Sequence, residues 1–315
     1  MNRKDFIKNI SLAAGGVLFI TNKVVGERIP KYPLFKPEPE KWKDSELNIA
    51  WIGHSTILIN FYGTLILTDP VLFERVGVEF MGLTYGPIRY TYPALDKNEM
   101  PCPDIILISH AHMDHMDYRT LKFLTDKFKD QIICITAANT KDVIDDLKWK
   151  NLYELDWNKN LDLFETRFTG IEVEHNGWRY PFEMDRPEYL NGRSYNGYII
   201  EKFGIKTFFA GDTGFTNKFK SLREQNIDIA IFPIGGYVPK KHYHCNPEEA
   251  LIMADEYIKA KYFIPMHCKT FDIDEELEKP LIWLDRIKNN FEINVVIDDI
   301  GQTFNLERSD LTTKI

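Results

Sequence analysis

Residues 110–115 read His-Ala-His-Met-Asp-His and follow directly on a short apolar run, Asp104 to Ser109. Three of the chain's eight histidines fall within these six positions. A continuously apolar run of this length is what a strand buried on both faces requires, and α/β proteins place their sites at the carboxyl ends of such strands. Neutral imidazoles and a carboxylate are good ligands for zinc-like cations. In extended backbone His110 and His112 point the same way, while Asp114 and His115 lie past the bend and reach a different point. One short loop can therefore serve two cations. At 315 residues the chain can bury a core large enough to hold such a site rigidly.

The rest of the chain alternates strands and helices from about Leu47. Strands are expected at Asn48–Trp51, Thr56–Phe61, Thr64–Thr68, Asp104–Ser109 and Gln131–Thr136, with Tyr62-Gly63 as a hairpin turn. Helical spacing marks Tyr118 to Phe128, and a second helix is expected at Thr140 to Leu147. A strand-rich half follows: Leu152–Leu155, Leu161–Phe164, Arg167–Glu174, Ser194–Glu201, Lys206–Ala210 and Ile227–Phe232. Asn246-Pro247-Glu248-Glu249 is a helix start, with an Asn cap, a first-turn proline and acids at the positive end of the dipole. That helix is expected to run to Lys259, ahead of a strand at Tyr262–Pro265 and a last helix near Glu275–Asn289. This order predicts two sheets face to face with helices outside, in a single α+β domain over 47–315.

Ahead of that domain stand a segment of 1–28 and a proline-rich linker over 29–46. A basic start and the apolar stretch Ile10 to Ile20 predict export, to the periplasm or as a membrane anchor. Arg3-Lys4-Asp5-Phe6-Ile7-Lys8 resembles the twin-arginine signal with Lys in place of the second Arg. The alternative is a frayed amphipathic helix on a cytoplasmic protein. Lys plus Arg number 39 against 47 Asp plus Glu, a net charge of −8, and no basic run exceeds two residues. A nucleic-acid partner is therefore disfavoured. The four cysteines are scattered without a CxxC, which argues against a disulfide framework or a cysteine-based zinc site.

The histidine string resembles that of the metallo-β-lactamase superfamily, whose four-layer αββα sandwich matches the element order above. Leu67-Thr68-Asp69-Pro70, His175, Phe209-Ala210-Gly211-Asp212-Thr213 and Met266-His267 resemble the family's other motifs, in the family's order. The resemblance implies His110, His112 and His175 on one metal and Asp114, His115 and His267 on the other. It places Asp212 on both, and Asp69 behind the histidine loop as its support. His54 is assigned to a supporting or core position, and Cys268 to a buried thiol.

The flanking motifs Trp51-Ile52-Gly53-His54-Ser55-Thr56, Gly86-Pro87-Ile88-Arg89-Tyr90, Pro233-Ile234-Gly235-Gly236-Tyr237 and His244-Cys245-Asn246-Pro247-Glu248-Glu249-Ala250 resemble one branch. That branch contains N-acyl-phosphatidylethanolamine phospholipase D and its bacterial relatives; the loop Arg75 to Tyr85 departs from its spacing. L-ascorbate-6-phosphate lactonase is a more distant relative sharing the ligands.

The resemblance implies two divalent cations, zinc first and iron or manganese next. They would activate water against a phosphodiester, with Asp114 and Asp212 orienting it and His244 contacting the phosphate or leaving oxygen. The expected substrate is a phospholipid or a small molecule. Phe80, Met81, Leu83, Tyr85, Ile88, Tyr90 and Tyr92 form an apolar stretch expected either to line an acyl groove and favour membrane association or to pack as a long loop onto the sandwich. Hydrolysis of small lactones or esters is the alternative reaction. A metal-stabilised binding protein without turnover is the reading of another class.

Overall fold

The computed structural model describes residues 29–180, 183, 192–236, 243–271 and 277–307. Two compact units divide the chain, Met1–Pro30 and Lys31–Ile315. The export segment expected over 1–28 lies outside the described residues, as does Tyr237 of the Gly-Gly motif. Among the described residues no helix is long and apolar enough to cross a membrane.

The second unit is built from two seven-stranded sheets. The first contains β1 (Glu46–Gly53), β2 (Thr56–Phe61), β3 (Thr64–Thr68), β6 (Ile105–Leu107), β7 (Ile133–Ala137), β8 (Asn151–Leu155) and β16 (Thr303–Glu307), in the order β16-β1-β2-β3-β6-β7-β8. The second contains β9 (Asn160–Leu163), β10 (Thr166–Glu172), β11 (Asn196–Lys202), β12 (Ile205–Phe209), β13 (Ile229–Pro233), β14 (Tyr262–Met266) and β15 (Asn294–Val295), in the order β15-β14-β13-β12-β11-β10-β9. A separate hairpin joins β4 (Val78–Phe80) to β5 (Leu83–Tyr85).

Alternation along the buried strands creates two cores from one sheet. Ile49, Trp51, Ile57 and Ile59 face Phe168, Tyr198, Ile200 and Phe208 of the second sheet. Ala50, Ile52 and Leu58 turn to the other side, against Leu121 and Leu124 of α1 (Tyr118–Lys127). Because successive side chains point to opposite faces, a strand apolar at every position must be covered twice, and the helix layers do that. On the far side of the second sheet lie α2 (Pro247–Leu251), which continues in wider turns to Ile258, and α3 (Lys279–Ile287). The result is the four-layer αββα sandwich.

Several local expectations are corrected. Thr140 to Leu147 forms only one tight turn, Lys141–Val143, in place of a helix. The Glu154 carboxylate accepts from the Thr140 and Lys141 N–H groups at 2.8 and 3.0 Å, and Arg193 draws away the Asp142 side chain. The helix begun at Asn246 keeps α geometry only to Leu251, and the wider turns end at Lys259 with φ +62. The last helix is shorter than expected, and 272–276 lie outside the described residues. The second compact unit begins at Lys31. Lys31 exchanges backbone bonds with Tyr90 and Tyr92, so part of the proline-rich segment is bound to the fold. Strand β16 escaped notice because only Phe304 and Leu306 are apolar along a half-exposed edge.

Candidate metal centre

Carboxyl ends of strands from both sheets meet at one rim of the sandwich. Asp69 follows β3, His110 follows β6, Asp212 follows β12, Gly235 and Gly236 follow β13, and His267 follows β14. His175 comes from the loop after β10. The neighbouring pairs β3–β6, β12–β13 and β13–β14 run parallel, so their carboxyl ends come out on the same side.

The donors form three overlapping groups, within each of which one donor atom per residue lies within 4.8 Å of the others. His110, His112, His175 and Asp212 make one; His54, Asp114, His115 and His267 make the second; Asp212, His244 and His267 make the third. All seven residues that the resemblance implied as ligands are thus brought together, with His244 and His54 beside them. Asp212 Oδ2 sits among them, 3.0 Å from His115 Nε2, 3.1 Å from His267 Nε2, 3.5 Å from His244 Nδ1 and 3.8 Å from His175 Nε2.

Buried polar atoms nearly always have hydrogen-bond partners. Here His110 Nε2, His115 Nε2, His267 Nε2 and both Asp212 carboxylate oxygens have none. Imidazole nitrogens and a carboxylate converging without hydrogen bonds are what a bound cation would complete, so the residues fit a metal of N/O preference. Their electrostatics suit that role. Burial holds His110 and His175 well below the usual imidazole range and lowers His112 as well, so these rings are neutral. Burial would raise Asp114 and Asp212, yet the surrounding imidazoles, His115 foremost, hold both well below the usual carboxylate range. At His115 and His267 burial opposes protonation, but the Asp212 and Asp114 carboxylates outweigh it and raise both rings. A cation would have to displace those protons.

Behind the donors, the outward-facing ring atoms are held as ligands usually are. Asp69 is fully buried and accepts from the Ser109 N–H at 2.7 Å, the Ser109 hydroxyl at 2.6 Å and His115 Nδ1 at 2.7 Å. Ser109 Oγ in turn lies 2.8 Å from His110 Nδ1. His175 Nδ1 donates to the Tyr243 carbonyl at 2.9 Å, and His112 Nε2 donates to Asn176 Oδ1 at the same distance. Three of the site's side chains stand on strained backbone, with φ of +52 at His54, +33 at Asp69 and +55 at His267.

Sequence reasoning missed two buried arginines. Arg179 Nη1 donates to the carbonyls of Ala111 and Met116, bracing both ends of the histidine loop at 2.8 and 3.0 Å. Arg89, from the Gly-Pro-Ile-Arg-Tyr motif, donates to the Val71 carbonyl and lies 5.4 Å from the Phe271 ring. Arg179 has no local pattern that separates it from a surface cation, and Arg89 stands in a motif that by itself assigns it no role. A Cβ on Gly236 would overlap the His244 carbonyl. Gly236→Ala should therefore displace His244 and lower kcat/KM by about 100-fold while metal content stays at the wild-type level. Kinetics paired with metal analysis check this, and unchanged kinetics would remove His244 from the reaction.

Residues 64–268 match the family model described as a beta-lactamase superfamily domain. The chain is 28% identical over 249 residues to N-acyl-phosphatidylethanolamine-hydrolyzing phospholipase D 1 of Caenorhabditis elegans, covering 72% of this chain and 65% of that protein. It is 30% identical over 244 residues to the mitochondrial N-acyl-phosphatidylethanolamine-hydrolyzing phospholipase D of Saccharomyces cerevisiae, covering 72% and 48%. The chain spans a little under two thirds of the first of these relatives and about half of the second. In fold it is similar to a metallo hydrolase from the archaeon Ignicoccus hospitalis, at a TM-score of 0.61 and 17% identity over 83% of this chain and 99% of that one.

Proposed function

This chain belongs to the metallo-β-lactamase superfamily, and from that premise we propose that it is a dinuclear metal-dependent hydrolase of phosphodiesters. The substrate class is an N-acyl phospholipid or a related diester, cleaved in the manner of a phospholipase D. The observation that carries this reading is the buried, unbonded carboxylate of Asp212, which belongs to the group with His110, His112 and His175 and also lies 3.0 and 3.1 Å from His115 and His267. On this reading His110, His112 and His175 would hold one cation, Asp114, His115 and His267 would hold the other, and Asp212 would serve both. Two such cations, zinc first and iron or manganese next, would supply Lewis acidity at a phosphoryl oxygen and lower the pKa of water.

The chain's own groups set the direction of attack. The Asp114 side chain is 35% exposed, whereas that of Asp212 is 1% exposed, so the reacting face opens on the Asp114 side. Asp114 is the ionised group placed to orient an attacking water there. His244 approaches the same centre and is placed to meet a phosphate oxygen or give a proton to the leaving alkoxide. Trp178, its ring 5.2 Å from His112, and the exposed Tyr243 put aromatic surface beside the donors. The β4–β5 hairpin leaves Met81 85% and Leu83 61% exposed, an apolar surface of the kind acyl chains favour.

Purified protein should contain two equivalents of transition metal and hydrolyse N-acyl-phosphatidylethanolamine or bis-p-nitrophenyl phosphate. Chelation should lower that rate by more than about 100-fold, and the removed cation should restore it. Turnover of homoserine lactones without phosphodiester cleavage would replace this reading with a lactonase. A fully metallated protein without any turnover would leave a binding protein.

A further inference from the structure

His54 lies in the same donor group as Asp114, His115 and His267, yet its geometry differs from theirs. Nε2 of His115 and Nε2 of His267 are buried without a hydrogen-bond acceptor. Both nitrogens lie closer to Asp212 Oδ2, at 3.0 and 3.1 Å, than to Asp114 Oδ2, at 3.9 and 3.6 Å. His54 Nε2 makes a hydrogen bond to that same Oδ2 at 3.2 Å. The first two rings are turned to Asp212, the residue shared between donor groups, and the third is bonded to Asp114.

The backbone of His54 is committed to the same centre. Its carbonyl accepts from the His267 N–H at 2.9 Å and from the Trp51 indole N–H at 2.8 Å, and its own N–H donates to Thr270 Oγ1 at 2.8 Å. His54 makes these bonds in the left-handed conformation at φ +52, which costs a non-glycine residue energy. The ring is buried, packed 4.1 Å from the His267 ring and edge-on to Phe271 at 5.2 Å.

We propose that His54 is a positioning residue for the second cation, its Nε2–H holding the Asp114 carboxylate and its carbonyl holding the His267 backbone, without itself being a ligand. This rests on the dinuclear reading above and specifies how one half of that centre is kept in register. Asp114 needs such a partner because its side chain is more exposed than those of the other donors it joins. A carboxylate partly in water can rotate to other partners, and a buried imidazole donor removes that freedom.

The test uses full-length protein stripped of metal and titrated with Zn2+ or Co2+ against a chromophoric chelator. Two variants are compared: His54→Leu, which fills the space without a donor, and His54→Gln, which keeps an N–H at similar reach but no aromatic nitrogen. Wild type should take up two equivalents. His54→Leu should keep the tighter equivalent and bind the second about 10- to 100-fold more weakly, the usual effect of losing a partner behind a ligand. His54→Gln should recover most of that loss, and its Co2+ absorption bands should match those of wild type. Circular dichroism and Tm report whether each variant folds; the Gln variant decides the matter if Leu does not.

Unchanged second-site affinity in His54→Leu overturns the proposal. So does a Gln variant as weak as Leu with altered cobalt bands, which would make His54 a ligand. Uptake of fewer than two equivalents by wild type overturns the dinuclear reading instead.

Discussion

Asp212→Ala should lower hydrolysis by at least about 1000-fold, or about 4 kcal/mol of transition-state stabilisation. Asp212 is the one residue common to the His110–His112–His175 group and to the group with His244 and His267, and it also lies 3.0 Å from His115 Nε2. Its loss removes an anionic donor from both halves at once and leaves a buried ring of imidazoles without its central counter-charge. Asp212→Asn separates charge from packing, because it keeps the volume and one oxygen. The expectation is that Asn is nearly as inactive as Ala, with metal content below two equivalents in both. Asn activity within tenfold of wild type, measured on metal-saturated protein, would rule out a role for Asp212 across both sites.

The largest effect on stability should come from Asp69→Ala. Asp69 is completely buried and takes three hydrogen bonds, two from Ser109 and one from His115. Truncation strands all three donors in the interior, and a broken buried network containing a charge costs about 3–5 kcal/mol. On a domain of this size that lowers Tm by on the order of 10 °C. The damage should extend to the metal centre. His115 loses the acceptor that fixes its ring, and His110 loses the one that orients Ser109, so metal affinity should fall about 10- to 100-fold. Asp69→Asn keeps one of the two acceptor oxygens and should fall between. Differential scanning calorimetry of the chelator-treated protein isolates the network from the cations it supports. A Tm within 2 °C of wild type would show that Asp69 bears no such load.

The sandwich and most of its strands were legible in the chain because their signals are local. Ile105 to Ile108 reads as a strand covered on both faces, and both cores are present on either side of it. The cap at Asn246 is equally local, and the structure contains the reciprocal Asn246–Glu249 pair. Where Thr140 to Leu147 misled, the propensity of the segment lost to Glu154, which is distant in sequence and captures the first free N–H groups. Strand β16 carries too few apolar residues to announce itself, and only its pairing with β1 makes it a strand.

The donor types and their order along the chain were likewise set by the sequence, since an HxHxDH loop after a buried strand carries its chemistry in residue identity and spacing alone. What only the tertiary structure decided is which atom of each ring faces inward and what holds it there. His112 turns Nε2 to Asn176, His175 turns Nδ1 to the Tyr243 carbonyl, and His54 points at Asp114. Those choices depend on partners 60 or more positions away in the chain, brought close when parallel strands of two sheets end at one rim. Spacing along a chain specifies what a loop can offer, whereas the direction of a hydrogen bond exists only once both partners have been packed into place.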